Sequence, residues 1–81
     1  MPVVTLHRID PSRNMRRFYL LDVQPDLFGA WSVVREWGRI GRPGRVRVDA
    51  YPTEAEAAVR MRRRRTHKQG RGYVPTVTTP N

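Results

Sequence analysis

Cysteine is absent from this chain of 81 residues, and histidine occurs only twice, as His7 and His67. Without cysteine there can be no disulfide framework, no thiolate metal site and no thiol nucleophile. The two histidines stand far apart and have no further ligands at metal-binding spacing. We therefore expect no metal and no cofactor, and packing alone must hold the domain together.

Acidic residues are also scarce, which leaves little material for catalysis. There are seven of them, and Glu54 and Glu56 fall where a helix begins, while Asp10 and Asp26 stand beside prolines in turns. Neither histidine has a partner at the spacing of a catalytic pair. The glycines form neither a Walker motif nor a dinucleotide-binding motif. The sequence predicts a protein that is not an enzyme.

Long apolar runs are missing too, so no segment is predicted to span a membrane. The opening residues are soon interrupted and do not resemble a signal peptide. We expect a cytoplasmic protein, associated with the nucleoid if DNA is its partner. The length fits one small domain, which we place at residues 1–75, followed by a flexible tail at 76–81.

Basic residues dominate what is present. Sixteen basic residues against seven acidic ones give a formal net charge of +9, and every basic residue except Lys68 is arginine. A polyanion is the natural partner of such a chain. The planar guanidinium suits phosphates and base edges. Codon usage in a GC-rich genome explains the preference for arginine over lysine equally well, but it does not explain the net charge.

The apolar pattern predicts an α+β fold: a small antiparallel sheet of about four strands with one helix packed across it. Turn residues separate the strands, and Thr53 and Glu56 stand at the spacing of a capping box that starts the helix. We expect the helix to end near Gly70 or Gly72, with Tyr73 packing there. The predicted strands are residues 3–9, 16–24, 30–37 and 45–51.

Alternation assigns side chains to sheet faces. In the third strand Trp37 shares a face with Trp31 and Val33, so it should be a core residue unless a twist or bulge near Gly38 turns it outward. In the fourth strand we expect one set to point inward and the other outward. The inward set is Val46, Val48 and Ala50, and the outward set is Arg45, Arg47, Asp49 and Tyr51.

The helix is expected to place Ala55, Ala58 and Val59 on the sheet, with Ala57 and Met61 beside this stripe. From Arg60 to Lys68 it becomes strongly basic. This run is either a solvated face whose charges complement the helix dipole or a surface that contacts phosphates. The sequence leaves both interpretations open.

The segment Trp37-Gly38-Arg39-Ile40-Gly41-Arg42-Pro43-Gly44 carries the functional signal. It can present a flat ring and a forked cation to a partner at close range. It can equally be a tryptophan that ends a core strand, followed by a hairpin loop. On the residues alone, the structural interpretation is favoured.

This segment resembles the WGR domain, named for its Trp-Gly-Arg signature. The likeness includes Arg17-Phe18-Tyr19-Leu20-Leu21 ahead of it and Thr53-Glu54-Ala55-Glu56-Ala57 after it, and covers Asn14 to Tyr73. The WGR domain is an antiparallel sheet with a helix. It is known as a DNA-binding module of the poly(ADP-ribose) polymerases activated by DNA breaks, and it also occurs in short bacterial proteins.

The resemblance implies that Trp37 stacks on a nucleotide sugar at a DNA end, and that Arg39 contacts phosphate or a neighbouring domain. It also makes Asn14 and Arg16 candidates for contacting DNA, but weaker ones than Trp37 and Arg39. No catalytic domain accompanies the likeness, so no ADP-ribose transfer is implied. The full set of candidate nucleic-acid-binding residues is Trp37, Gly38, Arg39, Arg42, Arg45, Arg47, Asn14, Arg16, Arg63 and Arg64.

The favoured partner is therefore DNA, at duplex ends or nicks. Two alternatives remain open. The loop after Trp37 can dock on an acidic partner protein, or the basic sheet with its aromatic residues can bind RNA.

Overall fold

The computed structural model describes residues 3–76, which form one five-stranded antiparallel sheet with one helix packed across it. The α+β prediction is confirmed, and a fifth strand of two residues joins the four that were expected. The sheet order is β4-β3-β2-β1-β5. The elements are β1 (Val4–Asp10), a 3-10 turn (Pro11–Arg13), β2 (Met15–Pro25), β3 (Trp31–Arg39), β4 (Arg45–Tyr51), α1 (Glu54–Gly70) and β5 (Val74–Pro75).

Tight turns fix the pairing of the strands. The carboxylate of Asp26 accepts hydrogen bonds from the backbone N–H groups of Phe28 and Ala30, at 2.8 and 2.9 Å, and so closes the β2–β3 hairpin. At the next hairpin Gly41 adopts a φ of 87°, a conformation that favours glycine. These turns set Tyr19 opposite Trp37, and Trp37 opposite Arg45.

Helix α1 begins where the capping residues predict. The Thr53 hydroxyl accepts a hydrogen bond from the backbone N–H of Glu56 at 3.2 Å. The helix runs to Gly70, and the backbone N–H of Arg71 then donates to the carbonyl of Lys68 at 3.0 Å. Tyr73 is buried just beyond this end, as expected.

The core lies between α1 and one face of the sheet, in two clusters. Leu6, Tyr19, Leu21 and Tyr73 form the first, and Val23, Val33 and Ala57 form the second. Met61 packs against both and joins them. Burial of each large apolar side chain contributes about 1.5–3 kcal/mol to stability. The helix is therefore held along its length, from Ala57 near its start to the aromatic residues at its end.

The apolar face predicted for the helix was wrong. The face that is buried on the sheet is rotated about the helix axis relative to the predicted one. Ala57 is fully buried and Met61 packs on the core, whereas Ala55 and Val59 are exposed. Alanines occupy three of the first four helical positions after Glu54, so they carry little periodic signal. The buried face continues through half-buried Arg64 and Lys68, whose long side chains cover the sheet in place of apolar residues.

The inward and outward sets of β4 were also reversed. Val46 and Val48 lie on the face away from the helix and are 58% and 57% exposed. The pairing of Arg45 with Trp37 puts Arg45, Arg47 and the other odd-numbered residues of β4 on the helix side. Alternation defines two faces but does not say which one a helix covers, and β4 lies at the edge of the sheet, where neither face is deeply buried.

Two further expectations concern the C-terminal tail and membrane-spanning segments. The predicted tail at 76–81 lies outside the described residues except for Thr76, whose backbone N–H donates to the carbonyl of Thr5 at 2.9 Å. Within residues 3–76, no helix combines the length and the apolar character needed to cross a lipid bilayer.

Candidate functional site

Trp37 stays on the helix side of the sheet, with no bulge to turn it outward. Its ring is half-buried and lies against Tyr19, with ring centroids 6.0 Å apart and planes inclined by 18°. The Arg35 guanidinium carbon is 6.0 Å from the Trp37 ring centroid. The sequence allowed Trp37 to be either a core residue or a ring presented to a partner. Trp37 combines the two, because it packs on the core and also borders open space.

Trp37 lies at one end of a row of three aromatic rings, which continues through Tyr19 to Tyr73. Tyr19 meets Tyr73 edge to face, at a centroid distance of 6.2 Å. The ammonium group of Lys68 lies 4.7 Å from the Tyr19 centroid and 5.5 Å from that of Tyr73. Helix α1 thus places a cation over the rings beside Trp37.

The surroundings of Lys68 disfavour its own charge. Burial lowers its pKa, and the neighbouring positive charges of Arg64, Arg71, Arg17 and Arg35 lower it further. A phosphate near Lys68 would offset both effects, since it would supply the negative charge that this environment lacks. The position is therefore better suited to an anion-bound state than to an empty one.

A cleft of about 510 Å³ opens beside Trp37, and we call it the Trp37 cleft. Five of its residues are cationic, and none of the described residues that line it is acidic. Arg13 pairs with Asp10 outside the lining at 3.6 Å, but the other four cations have no ion-pair partner among the described residues, and a cleft lined by one sign of charge favours an external anion. The lining is Arg13, Asn14, Met15, Arg16, Arg17, Trp37, Gly38, Arg39, Lys68 and Tyr73.

Arg39 is fixed in the wall of this cleft by Asn14. Its guanidinium donates to the backbone carbonyl of Asn14 at 3.1 Å and to the side-chain oxygen of Asn14 at 3.4 Å. Asn14 adopts a left-handed φ of 50°, which asparagine tolerates better than most residues. A guanidinium has five N–H donors, so Arg39 holds the turn and keeps donors for a ligand.

Two glycines bring the hairpin loop close to Trp37. A Cβ atom on Gly44 would lie 2.5 Å from the Trp37 carbonyl oxygen and 2.8 Å from the Phe18 ring, and one on Gly38 would lie 3.0 Å from Cα of Gly44. A second hollow of about 300 Å³ lies here, lined by Trp37, Gly38, Pro43, Gly44 and Arg45. Trp37 thus has open space on two sides.

A separate cleft of about 220 Å³ runs between α1 and β4, and we call it the β4 cleft. Its only acidic residue among those described is Asp49, which binds Arg35 at 3.1 Å and also accepts from Arg47 at 3.4 Å. The helical residues in it follow the spacing of one helix face. The lining is Val33, Arg35, Asp49, Tyr51, Arg60, Arg63, Arg64 and His67.

The structure brings part of the predicted set together. Asn14, Trp37, Gly38 and Arg39 meet in the Trp37 cleft, and Arg16 reaches its rim although alternation places its side chain on the opposite face of the sheet. Arg45 flanks Trp37 on the other side. Arg63 and Arg64 lie in the β4 cleft, Arg47 binds Asp49 beside it, and Arg42 is exposed in the loop after β3.

Five residues of the Trp37 cleft were not selected from the sequence: Arg13, Met15, Arg17, Lys68 and Tyr73. Arg17 was detectable in principle, because it shares a face with Tyr19 and pairs with Arg39 across the sheet. Lys68 and Tyr73 were not, since their positions depend on the length of α1 and on its angle over the sheet. No cluster of histidine, aspartate or glutamate within residues 3–76 could hold a metal ion.

Comparison with known proteins assigns the family. A family model described as the WGR domain matches residues 3–80. The chain belongs to the WGR domain family. An uncharacterized protein of Sinorhizobium fredii, y4dW, is similar to this WGR domain, with 39% identity over 75 residues. The match covers 93% of this chain but only 37% of that relative, and no solved structure matches.

Membership in the WGR family confirms the resemblance seen in the sequence. WGR domains are known for nucleic-acid binding in proteins related to poly(ADP-ribose) polymerases, and they are typically non-catalytic on their own. The signature residues Trp37, Gly38 and Arg39 all line the Trp37 cleft. The family signature therefore coincides with a cleft that has five cations and no acidic residue in its described lining.

Proposed function

We propose that this WGR domain is a non-catalytic module that binds DNA at duplex ends or nicks. The observation that carries the proposal is the Trp37 cleft itself. A half-buried indole, open on two sides, stands among five cations, with no acidic residue in the described lining. Such a site combines a stacking surface with phosphate-binding groups.

The position of Trp37 favours a break over an intact duplex. Inside a duplex the base faces are covered by stacking, whereas an end or a nick exposes a terminal base and its sugar. Trp37 rests on Tyr19, which holds the indole in place before a ligand arrives. Stacking on an aromatic side chain is worth about 1–3 kcal/mol per base.

The cations around Trp37 supply the phosphate contacts. Arg13, Arg17 and Lys68 lie on the turn, on β2 and on α1, and so surround the indole from three elements. Each phosphate that is neutralised releases counterions, which makes binding weaker at high salt. Arg45 and Arg47 on β4 extend the positive surface from Trp37 towards the β4 cleft, where Arg63 and Arg64 lie.

The test compares a short DNA duplex with free ends against the same duplex closed by hairpins at both ends, by fluorescence anisotropy at physiological salt. We expect clearly tighter binding to the open duplex. Trp37→Leu should lower affinity for the open duplex by roughly tenfold or more, because the stacking energy is lost. Trp31→Leu is the matched control, since Trp31 lies on the same strand and face at the far end of the sheet.

Other outcomes would replace this proposal. Equal, strongly salt-dependent binding to both duplexes would indicate phosphate attraction without end recognition. Tighter binding to the same strand made of RNA would favour an RNA partner. No binding to any of them, with a defined protein retained after nuclease treatment, would support docking on an acidic partner.

A further inference from the structure

The face of the sheet away from α1 is apolar and uncovered within residues 3–76, and we call it the open face. Phe18, Leu20 and Val34 are half-buried there, and Val46 and Val48 are more than half exposed. The strand register makes these five residues neighbours: Leu20 and Val46 flank Glu36, and Val34 pairs with Val48. Contiguous apolar surface of this kind usually marks an interaction site.

The open face also differs from the rest of the molecule in charge. Its strand positions carry one arginine, Arg16, and two carboxylates, Asp22 and Glu36. The other fourteen arginines and Lys68 lie elsewhere. A second copy of this strongly basic chain can therefore approach closely on this face with little local repulsion, whereas the helix side would repel it.

On β2, one positive and one negative side chain are placed so that each can pair with its opposite in a second copy of the chain. Arg16 and Asp22 lie three residues before and three residues after Tyr19, on the same face, with Phe18 and Leu20 between them. A two-fold axis crossing β2 at the level of Tyr19 brings Arg16 of one copy towards Asp22 of the other, and does so twice. Two-fold interfaces require this kind of reciprocal pairing.

We propose that two copies of this chain pack open face against open face to form a symmetric dimer. Packed sheets lie about 10 Å apart with their side chains interdigitated. Phe18 of each copy then lies near Leu20 of the other, and the Arg16–Asp22 pairs close the two ends of the stripe. Both Trp37 clefts face outward, on opposite sides of the assembly.

The size of the face predicts a weak dimer. The four longer strands, each of at least seven residues, give a face of roughly 20 by 23 Å. Two such faces bury on the order of 1,000 Å², which is at the low end for a specific interface. We expect a dissociation constant on the order of ten micromolar. Because each copy carries a net charge of +9, raising the salt concentration should strengthen the dimer by screening repulsion.

The experiment is sedimentation equilibrium of the full chain from a few micromolar to a few hundred micromolar, at physiological and at raised salt. Val48→Lys should weaken dimerisation at least tenfold, because it places a charge in the apolar stripe. Val59→Lys is the matched control, since Val59 is an exposed valine on the outside of α1. Circular dichroism checks that both variants fold.

A charge exchange tests the orientation. Asp22→Arg should weaken the dimer at least tenfold, and the double variant Asp22→Arg with Arg16→Asp should restore it. A monomer at every concentration, or a dimer that Val48→Lys leaves unchanged, would overturn the proposal. DNA binding weakens with salt whereas this dimer strengthens, so failure of one proposal is distinguishable from failure of the other.

Discussion

The Trp37 cleft and the β4 cleft lie on the same side of the sheet and are both lined by arginines, yet they differ in one respect. Asp49 stands inside the β4 cleft and binds Arg35, whereas the described lining of the Trp37 cleft contains no carboxylate. The first cleft has part of its charge satisfied internally. In the second, Arg13 pairs with Asp10 outside the lining at 3.6 Å, and no carboxylate of the described residues pairs with the other four cations.

This difference predicts which of the two clefts contributes more to DNA affinity. A guanidinium that already binds a carboxylate must exchange that partner before it gains a phosphate, so its net contribution is reduced. Of the cations around Trp37, only Arg13 has such a partner among the described residues, the carboxylate of Asp10 at 3.6 Å. Equal numbers of arginines in two clefts therefore do not mean equal contributions to binding.

The largest expected effect comes from filling the space beside Trp37. Gly44→Ala should destabilise the fold by about 1–3 kcal/mol, because the added methyl group overlaps the Trp37 carbonyl and the Phe18 ring. It should also weaken DNA binding by moving Trp37, while the β4 cleft stays intact. Thermal unfolding and anisotropy measure the two effects. Gly70→Ala is the control, since apart from its two chain neighbours and the backbone of its own helix, no described atom lies within 4 Å of its added Cβ. Equal stability of both variants would contradict the packing argument.

Removing the carboxylate of the β4 cleft should make the two clefts alike. Asp49→Asn leaves Arg35, whose side chain is only 12% exposed, without its ion-pair partner, and should cost about 1–2 kcal/mol of stability. DNA affinity should rise by roughly two- to fivefold at low salt, since Arg47 is released as well. The control Glu54→Gln removes the same charge from an exposed position in the first turn of α1, outside both clefts and the open face. An equal rise in both variants would show an effect of net charge alone.

The smallest effect separates the β4 cleft from solvated charge on the helix. Arg63 lines this cleft, whereas Arg62 is exposed on the helix outside both described clefts. If DNA reaches the β4 cleft, Arg63→Gln should reduce the salt dependence of binding by about one phosphate contact. Arg62→Gln should leave the slope unchanged. Identical slopes for the two variants would remove the β4 cleft from the interface.

The sequence predicted the sheet well because strand signals are local. The four predicted strands lie within two residues of the observed bounds at each end, and Thr53 gave the correct helix start. The orientation of β4 failed, since both of its faces carry residues that suit an edge strand and only the position of α1 distinguishes them. The helix stripe failed because alanine at adjacent positions fits several rotations.

The candidate site was predictable where the family signature reaches and not beyond. Trp37, Gly38 and Arg39 follow from the signature, and the structure places all three in one cleft. Lys68 and Tyr73 enter the same cleft from 30 or more positions later in the chain, through the packing of α1 on the sheet. No local pattern around Lys68 marks it as a neighbour of Trp37.

The hydrogen bonds between Asn14 and Arg39 join residues separated by 25 positions, across a hairpin that must already be paired. The turn that carries Asn14 can therefore close on Arg39 only after β2 and β3 have come together. Because this turn buries no side chain in the core, we expect it to open locally at a lower free energy than the core does, and such opening would separate Asn14 from Arg39.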